Sequence, residues 1–90
     1  MEHNLDIQHN YFLDVKSWIK TFEIRRTNRD YNIGDKLILK SLKTNKTIIK
    51  QIKYICDLSI YDIEHIIILG IWNNTIYFLT VQFQIILTDI

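Results

Sequence analysis

The sequence has no proline and no alanine, two glycines and one cysteine among its 90 residues. Without proline, and with glycine this scarce, it lacks the usual marks of a linker or a domain boundary. At this length it reads as one domain, 1–90, too short for two independent cores. The lone Cys56 excludes an internal disulfide, and its apolar neighbours make it read as an inert buried thiol. Nothing near the start resembles a secretory leader. Residues 66–90 are apolar, but Asn73, Asn74, Thr75, Thr80, Gln82, Gln84 and Thr88 interrupt them. No run reaches the roughly 20 residues of a spanning helix, so a cytoplasmic protein with no membrane partner is expected. His3, His9 and His65 share no metal-like spacing, and neither a Cys-x-x-Cys pair nor a glycine-rich phosphate loop is present. No metal and no cofactor are expected.

What is abundant is isoleucine, with nineteen copies in a chain that is 48% hydrophobic and 23% charged. This composition fits a folded domain, and many β-branched residues without alanine favour strands over helices. A first strand is expected over residues 3–6, with Leu5 and Ile7 on one side. Asn10 then caps a helix to about Ile19, with Tyr11, Phe12, Val15, Trp18 and Ile19 on its apolar face. From Lys20 the period becomes two: Phe22 and Ile24 face one way, Thr21, Glu23 and Arg25 the other. A polar segment over 27–30 closes with a turn at 33–35. Strands over 36–42 and 47–55 are joined by a hairpin at 43–46. Residues 57–64 form a loop or a single helical turn. Residues 66–72, lacking polar alternation, read as a strand buried on both faces. A turn at Asn73-Asn74 leads into a last strand from Thr75 to about Leu87. One helix and about six strands imply a mostly β, α+β domain: a small curved sheet closing into a barrel, the helix at one end.

The densest constellation spans residues 20–35 and reads KTFEIRRTNRDYNIGD. It resembles a branch of the ASCH superfamily, small domains of PUA-like fold whose members read close to K-T-F-E-I-R-x-N-D-R-D-F-x-x-G-D. Lys20, Thr21, Phe22, Glu23, Ile24, Arg25, Asn28, Arg29, Asp30, Gly34 and Asp35 carry the match, with Tyr31 in place of phenylalanine. Asn28, after Thr27, stands where the family usually has Asp or Asn. Residues 3–7 look like the family's H-x-L-x-I strand, Tyr11-Phe12 like its helix start, and residues 67–71 like its V-x-L-G-I strand. The resemblance thus covers about residues 3–71. Two features depart from it: Ser17-Trp18-Ile19 replaces a Ser-Gly-like pair, and residues 73–90 run past the point where the branch often ends. That extension either completes the barrel or pairs with another chain, giving a homodimer through the C-terminal strand. The resemblance implies RNA recognition in a cleft framed by the helix and the motif strand.

The charge is lopsided. Residues 1–53 hold all eleven Lys and Arg against six acids (+5), whereas residues 54–90 hold four acids and no base (−4). Such polarity either steers a polyanion onto one face or reflects a second half with few solvated positions. Thr21, Glu23 and Arg25 sit on one face of the motif strand, about 6.5–7 Å apart at each step. Glu23 with Arg25 forms either a structural ion pair, which keeps the carboxylate ionised, or the wall of a polar pocket. In the pocket reading, Lys20, Arg25 and Arg29 hold a phosphate or carbonyl, and Glu23 accepts from the exocyclic amine of a base. Thr21 and Asn28 complete the polar lining. Tyr31 is either a stacking platform for a base or a buried barrel residue. Asp30 and Asp35 read first as turn formers. Lys36, Lys40, Lys43, Lys46, Lys50 and Lys53 either add a sequence-independent positive field or simply keep strand edges soluble.

Three functions compete. The leading one is a module that binds RNA or a modified nucleoside, without catalysis. The second is a small enzyme, because some ASCH members are amidohydrolases acting on acetylated cytidine, such as N4-acetylcytidine. Those use a lysine and a threonine from this strand and a glutamate elsewhere. Lys20 matches the lysine, but Glu23 occupies the nucleophile's position, beyond Thr21, and Glu64 is the available second acid. The covalent route is thereby lost, leaving Glu23 as a general base on water with Lys20 polarising the carbonyl. The third is a protein-interaction factor of a phage or mobile element, suggested by small size, biased composition and the extra apolar strand.

Overall fold

The computed structural model describes residues 1–73. Along them run β1 (Glu2–Ile7), α1 (His9–Lys16), β2 (Phe22–Arg26), β3 (Lys36–Ser41), β4 (Thr47–Asp57), a 3-10 turn (Leu58–Tyr61) and β5 (Ile66–Trp72). The strands make one sheet in the order β1-β3-β4-β5-β2, curled into a half-barrel. β1 lies parallel to β3, and the other neighbours are antiparallel. Burial follows the period-two pattern of the sequence. Leu5 and Ile7, Leu37 and Leu39, Ile52, and Ile67, Leu69 and Ile71 turn inward, where Phe12 and Val15 of α1 and Tyr31 complete the core.

One irregularity sets the curl. The β4–β5 register shifts between Ile52 and Tyr54, which brings Tyr54 opposite Gly70. A Cβ on Gly70 would lie 2.9 Å from the Cβ of Tyr54, so only glycine fits there. The extra residue on β4 strengthens the local twist. β2 and β1 are thereby left as the two edges of a sheet that bends towards itself.

The helix is shorter than its apolar pattern implies. It ends at Lys16, because the Ser17 hydroxyl donates to the Leu13 carbonyl at 2.8 Å and Trp18 takes a left-handed φ of 70°. Trp18 and Ile19 are therefore 42% and 77% exposed, and only Phe12 and Val15 of the helix are buried. Nor does the cap fall on Asn10: Gln8 flanks a helix that starts at His9, with no side-chain cap. β5 buries one face, since Ile66, Ile68, Gly70 and Trp72 alternate as half-buried residues on the other. Cys56, paired with Ile68, is half-buried for the same reason. Five strands lie in the described residues. The expected strand over 75–87, its turn and the dimer contact assigned to it fall outside them. Among the described residues no helix is long and apolar enough to cross a membrane.

Candidate functional site

β2 inverts the usual rule for an amphipathic strand. Its apolar residues Phe22 and Ile24 are 42% and 56% exposed, whereas Glu23 faces inward and is 3% exposed. A buried carboxylate is tolerable only when its charge is matched and each of its oxygens is hydrogen-bonded. Both conditions are met. Oε1 of Glu23 accepts from Nζ of Lys20 at 2.8 Å, and Oε2 accepts from Nε and Nη2 of Arg25 at 3.1 and 2.9 Å. Lys20 also lies over the rings of Tyr11 and Phe22, at 4.7 and 5.3 Å from their centroids, which fixes it against the helix. The loop through Trp18 makes this possible: the Ile19 and Lys20 amides both donate to the Asp14 carbonyl, turning the chain from helix to strand.

Arg25 does a second thing. Its Nη2 also donates to the backbone carbonyl of Asp6 at 2.9 Å. Asp6 lies on β1, the opposite edge of the sheet. The guanidinium thus spans the seam between the two edge strands, and Glu23 orients it.

Beyond the seam sits a second buried carboxylate. Asp35 follows Gly34, whose φ of 96° suits glycine. One oxygen of Asp35 meets the α-amino group of Met1 at 3.2 Å. The other meets Nε2 of His3 at 2.8 Å and accepts the Asn32 amide at 3.0 Å. The His3 contact, then the Asn32 and Met1 bonds, hold the Asp35 carboxyl below its ordinary pKa in spite of burial. The ring of Tyr31 is 7% exposed and lies 4.7 Å from that of His3.

Between these two knots lies a cleft of about 460 Å³, lined by Leu5, Ile24, Arg25, Arg26, Asn28, Arg29, Tyr31 and Ile66. Among the described residues three arginines and no carboxylate line it. A second cleft, about 290 Å³, shares Leu5, Arg25 and Arg29 and adds Asn4, Asp6, Ile38, Lys40 and Thr47. With three fixed cations and an amide beside apolar walls, the larger cleft suits an anion attached to a flat apolar body. Among the described residues no group of His, Cys, Asp and Glu could hold a metal ion.

Residues 2–71 match the family described as Domain of unknown function (DUF3850). The chain belongs to the DUF3850 family. A comparison with curated proteins finds no match. Of the residues singled out by sequence, Arg25, Asn28, Arg29 and Tyr31 line the larger cleft of this DUF3850 domain, whereas Lys20, Thr21 and Glu23 do not. Thr21 instead gives its carbonyl to the Ile71 amide at 2.9 Å, extending the β2–β5 pairing. Sequence reasoning missed Arg26, because alternation places it on the face opposite Arg25; the signal was the doubled arginine at a strand end beside a polar loop. Leu5, Ile66 and the β1–β3 residues are brought in by pairing that no local pattern reveals.

Proposed function

We propose that this DUF3850 domain is a small RNA- or nucleotide-binding module related to the ASCH superfamily, taking its ligand in the arginine-lined cleft at the seam. The observation that carries the reading is the lining itself: Arg25, Arg26 and Arg29 converge with Asn28 on a cleft that no carboxylate lines among the described residues. Arginine forks suit phosphate oxygens, and an amide side chain suits the edge of an unpaired base. The match to the ASCH motif over residues 20–35 supports the same direction, and a curled half-barrel of five strands is compatible with a PUA-like fold. A fold likeness by itself says nothing of activity, so the weight rests on the cleft.

The amidohydrolase reading draws no support from the motif strand. Both oxygens of Glu23 are engaged by Lys20 and Arg25, so the carboxylate is committed to two cations rather than held ready to take a proton from water. Glu23 serves as a positioning residue for Arg25.

The test is fluorescence anisotropy of mixed-sequence single-stranded RNA at low and physiological salt, with Arg26→Gln and Arg29→Gln beside the unaltered chain. Both arginines are exposed, so these variants keep the fold. Each change is expected to weaken binding about tenfold at low salt and to reduce the salt slope by roughly 0.7 for each phosphate no longer neutralised. Absence of binding at low salt overturns the proposal. Binding indifferent to both changes places the RNA elsewhere and overturns the cleft.

A further inference from the structure

The two clefts adjoin along a shared wall. Both are lined by Leu5, Arg25 and Arg29, and they differ in the rest of their lining. The larger takes in Tyr31 and Ile66 at the seam. The smaller extends over the outward residues of the β1–β3 pair, where Asn4 stands beside Ile38 and Asp6 beside Lys40. The Arg25 bond to the Asp6 carbonyl ties β2 to β1 where the two clefts meet, and Arg29 contributes to both. At about 460 and 290 Å³, only the larger falls well within the volume range of a pocket for one compact ligand.

Charge along the groove is continuous. Arg26 belongs to the seam end, Arg29 to both clefts and Lys40 to the far end, with Asp6 the one carboxylate among the described residues of the lining. Asp6 is already paired with Lys40 at 3.8 Å, and that pair is exposed, so it gives way readily to a phosphate. A lone nucleotide would engage the seam end and leave Lys40 without a partner from the ligand. A chain with repeating phosphates would engage both ends.

Resting on the nucleic-acid reading above, we infer that the groove is a two-subsite track for single-stranded oligonucleotides. The first nucleotide sits in the seam, the linking phosphate lies at Arg29, and the next phosphate reaches Lys40 across the outer face of β1 and β3. Mononucleotides and free nucleosides fill only the first subsite.

The experiment is an NMR titration of the full chain at low salt with the four 5′-mononucleotides and with mixed-sequence RNA di-, tri- and hexanucleotides. Affinity is expected to rise about tenfold from mono- to trinucleotide and to level off by the hexanucleotide. Lys40→Gln should abolish that rise and leave mononucleotide binding unchanged, whereas Arg29→Gln should weaken both. Amide shifts on binding should reach Asn4 and Lys40 with the trinucleotide but not with a mononucleotide. Equal affinity for mononucleotide and trinucleotide would overturn the two-subsite track while leaving the single-nucleotide cleft standing. A rise that survives Lys40→Gln would overturn it too. No binding by any of these ligands would overturn the nucleic-acid reading itself.

Discussion

Two buried carboxylates stand at two points of the half-barrel, and they are held in opposite ways. Glu23 takes its partners from its own strand and the turn before it, three residues back and two ahead. Asp35 takes two of its partners from the far end of the chain, Met1 and His3, more than thirty residues away. The Glu23 partners are the side chains of a lysine and an arginine. The Asp35 partners are an imidazole, the α-amino group of Met1 and a backbone amide. Local partners make the Glu23 knot a preformed unit of β2. Remote partners make the Asp35 knot a clasp between β1 and the start of β3.

Removing Glu23 should break this comparison most severely. Glu23→Ala strands Lys20 and Arg25 beside a cavity and frees the guanidinium that spans the seam. A loss of about 3 kcal/mol is expected, since a deleted partner leaves charge uncompensated in a largely buried site. Glu23→Gln keeps the shape and one acceptor oxygen and should cost less. Urea midpoints at constant slope measure both. Equal midpoints for Glu23→Ala and the unaltered chain would show that the knot contributes nothing to stability.

The Asp35 clasp should be weaker and pH-dependent. Asp35→Asn keeps a side-chain acceptor for the Asn32 amide but removes the charge facing His3 and the α-amino group of Met1, for an expected cost of about 1.5 kcal/mol at neutral pH. The sign of the pH effect follows from the lowered folded pKa. The contribution is complete above the ordinary aspartate value and is lost as pH falls through the lowered folded value. Thermal unfolding of both chains from pH 7 to pH 2.5 should converge at the acid end. Parallel curves would contradict the clasp.

The two knots also show what local sequence can carry. Period-two alternation is set within a few residues, so it identified the face that Glu23 shares with Arg25. It could not tell which face was inward, because Phe22 and Ile24 make the other face the more apolar one. The Lys20 contact depends on Trp18 taking a left-handed φ, a conformation that no motif announces. The Arg25 bond to Asp6, the parallel β1–β3 pairing and the Met1–His3–Asp35 clasp join residues far apart in sequence, and only the fold reveals them. The larger cleft was half legible for that reason. Arg25, Asn28 and Arg29 lie in one segment, whereas Leu5, Ile66 and Lys40 converge on the groove from β1, β5 and β3.

A third buried charge sharpens the contrast. Lys50 faces inward on β4 opposite Leu37 and is 5% exposed, unlike Lys36 and Lys40 on the neighbouring strand. Among the described residues no carboxylate pairs with it. Its Nζ lies 4.0 Å from the centroid of the Trp18 ring, and a ring face offsets only part of the lost hydration. Burial accordingly pushes the Lys50 pKa down. Where Glu23 and Asp35 are stabilised by charge, Lys50 carries charge against its surroundings, so the expected sign reverses. Lys50→Met, which keeps an unbranched stem, should raise stability at neutral pH by about 0.5–1 kcal/mol. The folded protein releases this proton more readily than the unfolded chain, so the unaltered protein gains stability as pH rises from the lowered value towards the usual lysine value. The advantage of Lys50→Met should therefore shrink on approaching pH 10. Urea midpoints at pH 7 and pH 10 decide the matter. A destabilised Lys50→Met would mean that the ammonium–Trp18 contact outweighs the burial of the charge, which would make Lys50 a third stabilising knot.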